Sequence, residues 1–151
     1  MVVKKIAIKK LDGVEDKDML FLYLRVVYFW ECNSNESYKI KENKFQDYIK
    51  DKNIDIQACK KSEMDKASVE NKKLYDQYFI FYNDESSQAA GLIKRIRNAT
   101  AHCNLARKKI SSRWFYKFTD YDNNGNCTMT GKIGNSNFKQ FIEYLLQTKQ
   151  S

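Results

Sequence analysis

Apolar positions along this chain fall into segments separated by short polar breaks. The strongest run, residues 19–30, predicts a mostly buried first helix over 19–31, entered through the carboxylates of Asp16 and Asp18. Asn33, Ser34 and Asn35 interrupt it. Tyr38, Phe45, Tyr48 and Ile49 predict a second helix over 36–50, and 51–61 reads as a polar connection with Ile54 and Ile56 turned inward. Ser62, with Asp65 at capping-box spacing, opens a third expected helix to about residue 82, with Leu74, Tyr78 and Phe81 on one side. A fourth helix is expected from about 85 to 106, where Ala89, Leu92, Ile93, Ile96, Ala99, Thr100 and Cys103 form a single stripe. Residues 114–121 and 127–133 alternate and flank Asn124-Gly125, a hairpin signal. Asn135 caps a last expected helix with Phe138, Phe141, Ile142 and Leu145 inside, and residues 2–8 alternate weakly as an extended start. The pattern predicts a mainly α fold: a bundle of about five helices with a short β-hairpin near the C-terminus, forming one domain over residues 1–151.

Composition sharpens this picture in three places. Proline is absent, which permits long unkinked helices, and 42% hydrophobic content suits a packed core. The formal net charge is +8, and residues 94–119 hold Lys94, Arg95, Arg97, Arg107, Lys108, Lys109, Arg113 and Lys117 with no acid. Such a basic window favours nucleic acid or another anionic surface, against the plainer reading of a solvated lysine-rich face. Cys32, Cys59, Cys103 and Cys127 are scattered and a single histidine is present, which argues against a zinc site and for reduced thiols. Lysines 4, 5, 9 and 10 interrupt the apolar start, so no secretory signal is expected. The 19–30 run is too short to span a bilayer and carries Arg25, so a cytoplasmic location without membrane attachment is expected.

The chemistry points to Arg97-Asn98-Ala99-Thr100-Ala101-His102. His102 is the only histidine, and imidazole is the side chain suited to moving protons near neutral pH. Arg97 offers a planar fork for phosphate. On an ideal helix His102 lies about 140° from the apolar stripe, with Asn98 one turn before it on the same face. Arg97 and His102 point about 140° apart on such a helix, so a shared phosphate is reached more easily between two copies of the helix. The small residues Ala99, Thr100 and Ala101 would allow close approach. A symmetric dimer would also supply the two imidazoles that base and acid steps on RNA call for.

With Arg-x4-His late in a helical, basic chain and a polar Asn98 directly after the arginine, the sequence resembles the HEPN domain family. The resemblance covers most of the chain and implies a helical bundle acting as a metal-independent endoribonuclease, with no cofactor. It implies a homodimer with both motifs in one cleft, a role in toxin–antitoxin or antiviral defence, and a cognate antitoxin or regulatory protein as partner. His102 would then be the acid/base residue, Arg97 the clamp that holds the scissile phosphate and stabilises its charge, and Asn98 the group orienting the histidine or the phosphate. Lys94, Arg95, Arg107, Lys108, Lys109 and Arg113 would contact RNA. The chain departs from nucleotidyltransferase-paired toxins of the family in having Asn104, not tyrosine, two residues after the histidine.

Other functions stay open at this level. One is a non-catalytic HEPN-like module that binds RNA or a nucleotide, or assembles with a partner. A helical adaptor without nucleic acid is a third, and a two-metal nuclease on Asp120 and Asp122 a fourth. The hairpin aromatics Trp114, Phe115, Tyr116, Phe118 and Tyr121 would stack bases if exposed, or fill the core if turned inward.

Overall fold

Gln77-Tyr-Phe-Ile-Phe-Tyr82 is a run of aromatic and β-branched residues with its four central positions buried. Such a run suits a strand covered on both faces, and the structure uses it that way. The computed structural model describes residues 10–64 and 72–151. The extended start expected at 2–8, and residues 65–71 of the expected third helix, lie outside them.

The chain is a mixed α/β fold and not the mainly helical bundle that its periodicity predicts. Its order is α1 (Asp16–Leu22), a π-helical turn (Tyr23–Val27), α2 (Tyr28–Asn33), α3 (Asn43–Asp51), β1 (Ile54–Cys59), a 3-10 turn (Lys61–Glu63), β2 (Gln77–Tyr82), α4 (Gln88–Ala101), β3 (Leu105–Ile110), β4 (Arg113–Tyr121), β5 (Cys127–Gly134) and α5 (Phe138–Leu146). The residues that join α1, the π turn and α2 keep right-handed helical angles, so these three form one rod over the expected first helix. It is not mostly buried: one face alone meets the core, with Leu22 and Val26 buried and Leu20, Leu24 and Tyr28 exposed. The C-terminal hairpin and last helix also match their patterns.

Three segments differ from expectation. The helix expected over 36–50 begins only at Asn43, where the Glu42 carboxylate accepts from the backbone N–H groups of Lys44 and Phe45 and so caps α3. The connection expected over 51–61 is β1, because Ile54, Ile56 and Ala58 alternate with polar or smaller neighbours at period two. The third expected helix ends in β2 instead, and Leu74, expected inside, is exposed. Tyr78 and Phe81 are spaced for a helix, yet Phe79 and Ile80 between them are equally buried, as in a short aromatic and β-branched strand with two covered faces.

The sheet runs β1-β2-β5-β4-β3, with β1 and β2 parallel and every other pair antiparallel. Ile56, Phe79, Gly131, Phe118 and Leu105 stand in register across all five strands. This face carries the main core and is covered by α4, α5, α3 and the rod. Gly131 is the gap in the row. A Cβ there would meet Phe79 Cδ1 at 2.4 Å, and the Phe79 ring continues into a stack on Phe141 of α5 with centroids 4.9 Å apart. Gly131→Ala is therefore expected to destabilise the fold by about 1–3 kcal/mol through overpacking. Chemical denaturation measures it, and a change below about 0.5 kcal/mol would show that the ring has room to move.

Candidate active site

Helix α4 carries the motif, and its ends are fixed locally. At its start the Ser87 hydroxyl accepts from the Ala90 N–H at 3.1 Å. At its end the Cys103 N–H donates to the Thr100 carbonyl at 3.1 Å and the Asn104 N–H to the Ala99 carbonyl at 2.7 Å. These are the two bonds of a Schellman stop, with Cys103 in the left-handed region at φ 58°. The helix therefore closes five residues before the expected end at 106, and Leu105 onward pairs with β4 as strand β3. His102 is the capping residue, exposed, with its own N–H on the Asn98 carbonyl at 2.9 Å.

Arg95 lies three positions after Leu92 and four before Ala99, both fully buried, so helical spacing turns it toward the sheet. It is 6% exposed. Its Nε donates to the Tyr82 carbonyl at 3.0 Å, its Nη1 to Asp120 Oδ2 at 3.2 Å, and its guanidinium lies 5.3 Å from the Tyr82 ring centre. Asp120, 1% exposed, reaches that point because Tyr116, Phe118 and Asp120 alternate onto the core face of β4. The β4–β5 register slips just after it, and there Thr128 Oγ1 donates to Asp120 Oδ2 at 2.9 Å.

The motif is built on this buried pair. Asn98 Nδ2 donates to Asp120 Oδ2 at 3.4 Å, and Arg97 Nη1 donates to Asn98 Oδ1 at 3.2 Å. Arg97 Nη2 donates to a carboxylate oxygen of Glu31 on α2 at 2.5 Å. Arg97 and Asn98 are thus joined directly. Among the described residues, no side-chain hydrogen bond links either of them to His102.

The six cations expected to contact RNA divide between interior and surface. Lys94 is half-buried between Asp84 at 3.0 Å and Glu85 at 3.3 Å. Burial alone would lower its pKa, but the hydrogen bonds it donates to these two carboxylates, and their charges, leave it raised. Asp84 is lowered in turn: burial opposes this, and its bonds to Lys94 and the charges of Arg95 and Lys94 outweigh burial. Arg95 points inward and does not reach the surface. Arg107 lies 4.0 Å over the Trp114 ring and donates to Asn135 Oδ1, and Lys108 is paired with Asp12. Lys109 and Arg113 are exposed at the β3–β4 end, Lys109 about 13 Å along the strand from Leu105 by strand rise. Of the hairpin aromatics, Phe115, Tyr116 and Phe118 are buried and Trp114 is exposed.

The sequence also offers Asp120 and Asp122 as a metal pair, and the structure separates their roles. Asp120 faces the core, while Asp122 accepts from the backbone N–H groups of Asn124 and Asn126 and pairs with Lys61, as a turn residue does. The Asn126 N–H bond holds the Asp122 carboxyl down at about 2, although partial desolvation works against it. Among the described residues no group of three or more His, Cys, Asp or Glu could hold a metal ion, and no helix is long and apolar enough to cross a membrane. The residues that periodicity alone does not single out are Glu31, Thr128 and, as a partner of the motif, Asp120. A carboxylate in line with two core aromatics at period two is a readable sign of a buried ion pair, whereas Glu31 meets Arg97 across 66 positions with no local signal.

A family model described as HEPN pEK499 p136 matches residues 18–149, and the chain belongs to this HEPN family. Membership places it in a group with nuclease or nucleotide-related roles in general. The matched region includes the whole sheet as well as α4, so the sheet is part of the domain and not an appendage. Neither the curated proteins nor the solved structures searched gave a match.

Arg95→Met leaves the Asp120 carboxylate buried without its cation. The expected cost is about 3–5 kcal/mol of stability at neutral pH, read by urea denaturation. A loss below about 1 kcal/mol would mean that Asp120 finds compensation elsewhere.

Proposed function

We propose that this chain is a metal-independent endoribonuclease acting on single-stranded RNA. The 2′-hydroxyl attacks the adjacent phosphorus, the 5′-oxygen leaves with a proton, and the products end in a 2′,3′-cyclic phosphate and a 5′-hydroxyl. Arg97 holds the scissile phosphate and stabilises the charge that builds on it. Asn98 orients Arg97, and His102 moves the proton. The observation that carries this reading is the Arg97–Asn98 pair beside an exposed His102 at the closed end of α4, in a chain of the HEPN family. Lys109 and Arg113, with Arg107 and Lys108 beside them, are suited to track the RNA backbone. The setting we infer is a cytoplasmic toxin–antitoxin or antiviral defence system in which a second protein holds the activity in check.

Two features support a homodimeric, composite site. Each chain has one histidine. Leu20, Leu24 and Tyr28 are 60%, 59% and 67% exposed at one-turn spacing along the rod. This apolar stripe leads to Glu31, the partner of Arg97. A second copy seated on it would bury the stripe and bring its own motif alongside. A non-catalytic RNA-binding module is the second reading, favoured by the Glu31–Arg97 pair, because substrate phosphate must displace that carboxylate.

Purified protein in excess chelator is expected to cut single-stranded RNA, with His102→Ala and Arg97→Ala each lowering kcat/KM by about 10²–10⁴-fold. Salt-sensitive RNA binding without scission would favour the second reading. Mixing the two inactive variants tests the composite site. Half of randomly paired dimers would hold one Arg97–His102 pair drawn from two chains, which restores about a quarter of wild-type activity where one imidazole serves each site and none where each site needs both. Leu24→Lys in both chains should abolish that recovery. No recovery with mixed dimers present would mean either that Arg97 and His102 of one chain share a site or that each site needs both imidazoles.

A further inference from the structure

We propose that Asp120 is a positioning residue for Arg97, acting through Asn98 from beneath the motif. The inference rests on the ribonuclease reading above for its kinetic consequence, and on the geometry alone for the positioning itself.

A buried carboxylate needs a cation, and Arg95 supplies it. Neutralising Arg95 would account for Asp120 if the contact ended there. It does not, because Asp120 Oδ2 also accepts from Asn98 Nδ2. An asparagine amide has a donor end and an acceptor end. With Nδ2 committed to the carboxylate, Oδ1 is left facing Arg97, where it accepts from Nη1. The reversed amide would set Oδ1 against Asp120 and two N–H groups against a guanidinium, repulsive at both ends. The acceptor oxygen of Asp120 therefore selects the amide orientation, and the amide fixes one edge of the guanidinium. Glu31 holds the other edge from the surface and is the group that an incoming phosphate replaces. Once Glu31 is displaced, the line from Asp120 through Asn98 is what keeps Arg97 aimed at the phosphate.

The arrangement of donors makes the idea separable from charge burial. Thr128, Arg95 and Asn98 all converge on Oδ2, while Oδ1 is buried with no hydrogen-bond partner among the described residues. An asparagine at 120 can place its carbonyl oxygen at the Oδ2 position and its amide nitrogen at the Oδ1 position. Asp120→Asn thus removes the charge and keeps the acceptor, and Asp120→Ala removes both.

The test compares these variants on a background of Arg95→Met, so that no lone buried cation burdens folding, with folding checked by circular dichroism. Arg95→Met/Asp120→Ala should lose about 10- to 100-fold in kcat relative to Arg95→Met/Asp120→Asn, with KM changed much less. Thr128→Val, which removes a donor to the same oxygen but not the route to Arg97, should leave kcat unchanged. Adding Asn98→Ala to the alanine variant should cost nothing further, as expected of two residues acting in series. Equal kcat in the asparagine and alanine variants, or losses that multiply on adding Asn98→Ala, would overturn the proposal.

A second readout does not depend on activity. The Asn98 side-chain amide protons, followed by NMR, should be protected from exchange in wild type and in the asparagine variant and lose that protection in the alanine variant. A wild type that cuts no RNA would contradict the ribonuclease reading and leave the amide protons to decide this one: protection lost in the alanine variant upholds it, and protection retained overturns it.

Discussion

The site depends on a guanidinium buried under a helix. Arg95 sits at a position of α4 where helical spacing demands an apolar residue, between Leu92 and Ala99 on the sheet-facing side. A charge in that place is tolerable only if a carboxylate meets it there, and β4 delivers Asp120 at the end of an aromatic, aromatic, acid alternation. The pair locks α4 to the sheet at one rotation about its axis. Asn98 then falls within reach of Asp120, Arg97 beside Asn98, and His102 at the capped C-terminal end of the helix. An apolar contact could hold the helix as firmly, but it would fix no side-chain direction.

The same logic governs the basic window. Eight cations in 26 residues look like one positive surface when read in line. Folded, α4 commits Lys94 to the partly exposed carboxylates of Asp84 and Glu85 and Arg95 to buried Asp120, while Lys109 and Arg113 at the β3–β4 end point outward. The positive surface is therefore narrower than the sequence suggests and lies along the hairpin, on the strand that leaves the motif. Trp114 is the exposed aromatic there, already covered on one side by Arg107.

Much of this was legible in the chain and some was not, for definite reasons. The rod, the Asn124-Gly125 hairpin and the last helix carry strong local patterns and need no distant partner. The exposure of His102 follows from its angle to the stripe, although a left-handed Cys103 ends the helix sooner than the stripe implies. Strand β2 is hard to read because Tyr78 and Phe81 suit helical spacing and a strand buried on both faces shows no alternation, and β1 because its alternation is short and set among polar residues. Strand β3 was hidden behind α4 for a similar reason: Cys103 extends the apolar stripe by one turn without being helical. The motif itself identifies the family. Glu31 had no sequence signal, because its contact with Arg97 exists only once the rod is laid across α4.

The central claim is that Arg97, Asn98 and His102 carry out phosphodiester transesterification without a metal. The chemical identity of the cut ends tests it most directly. A single-stranded RNA of defined sequence, incubated with the protein in excess chelator and analysed by mass spectrometry, should yield 2′,3′-cyclic phosphate and 5′-hydroxyl termini, with no cut at a position carrying a 2′-deoxyribose. Products ending in 3′-hydroxyl and 5′-phosphate, or cleavage at the deoxy position, would contradict the account, because neither outcome passes through attack by the 2′-hydroxyl.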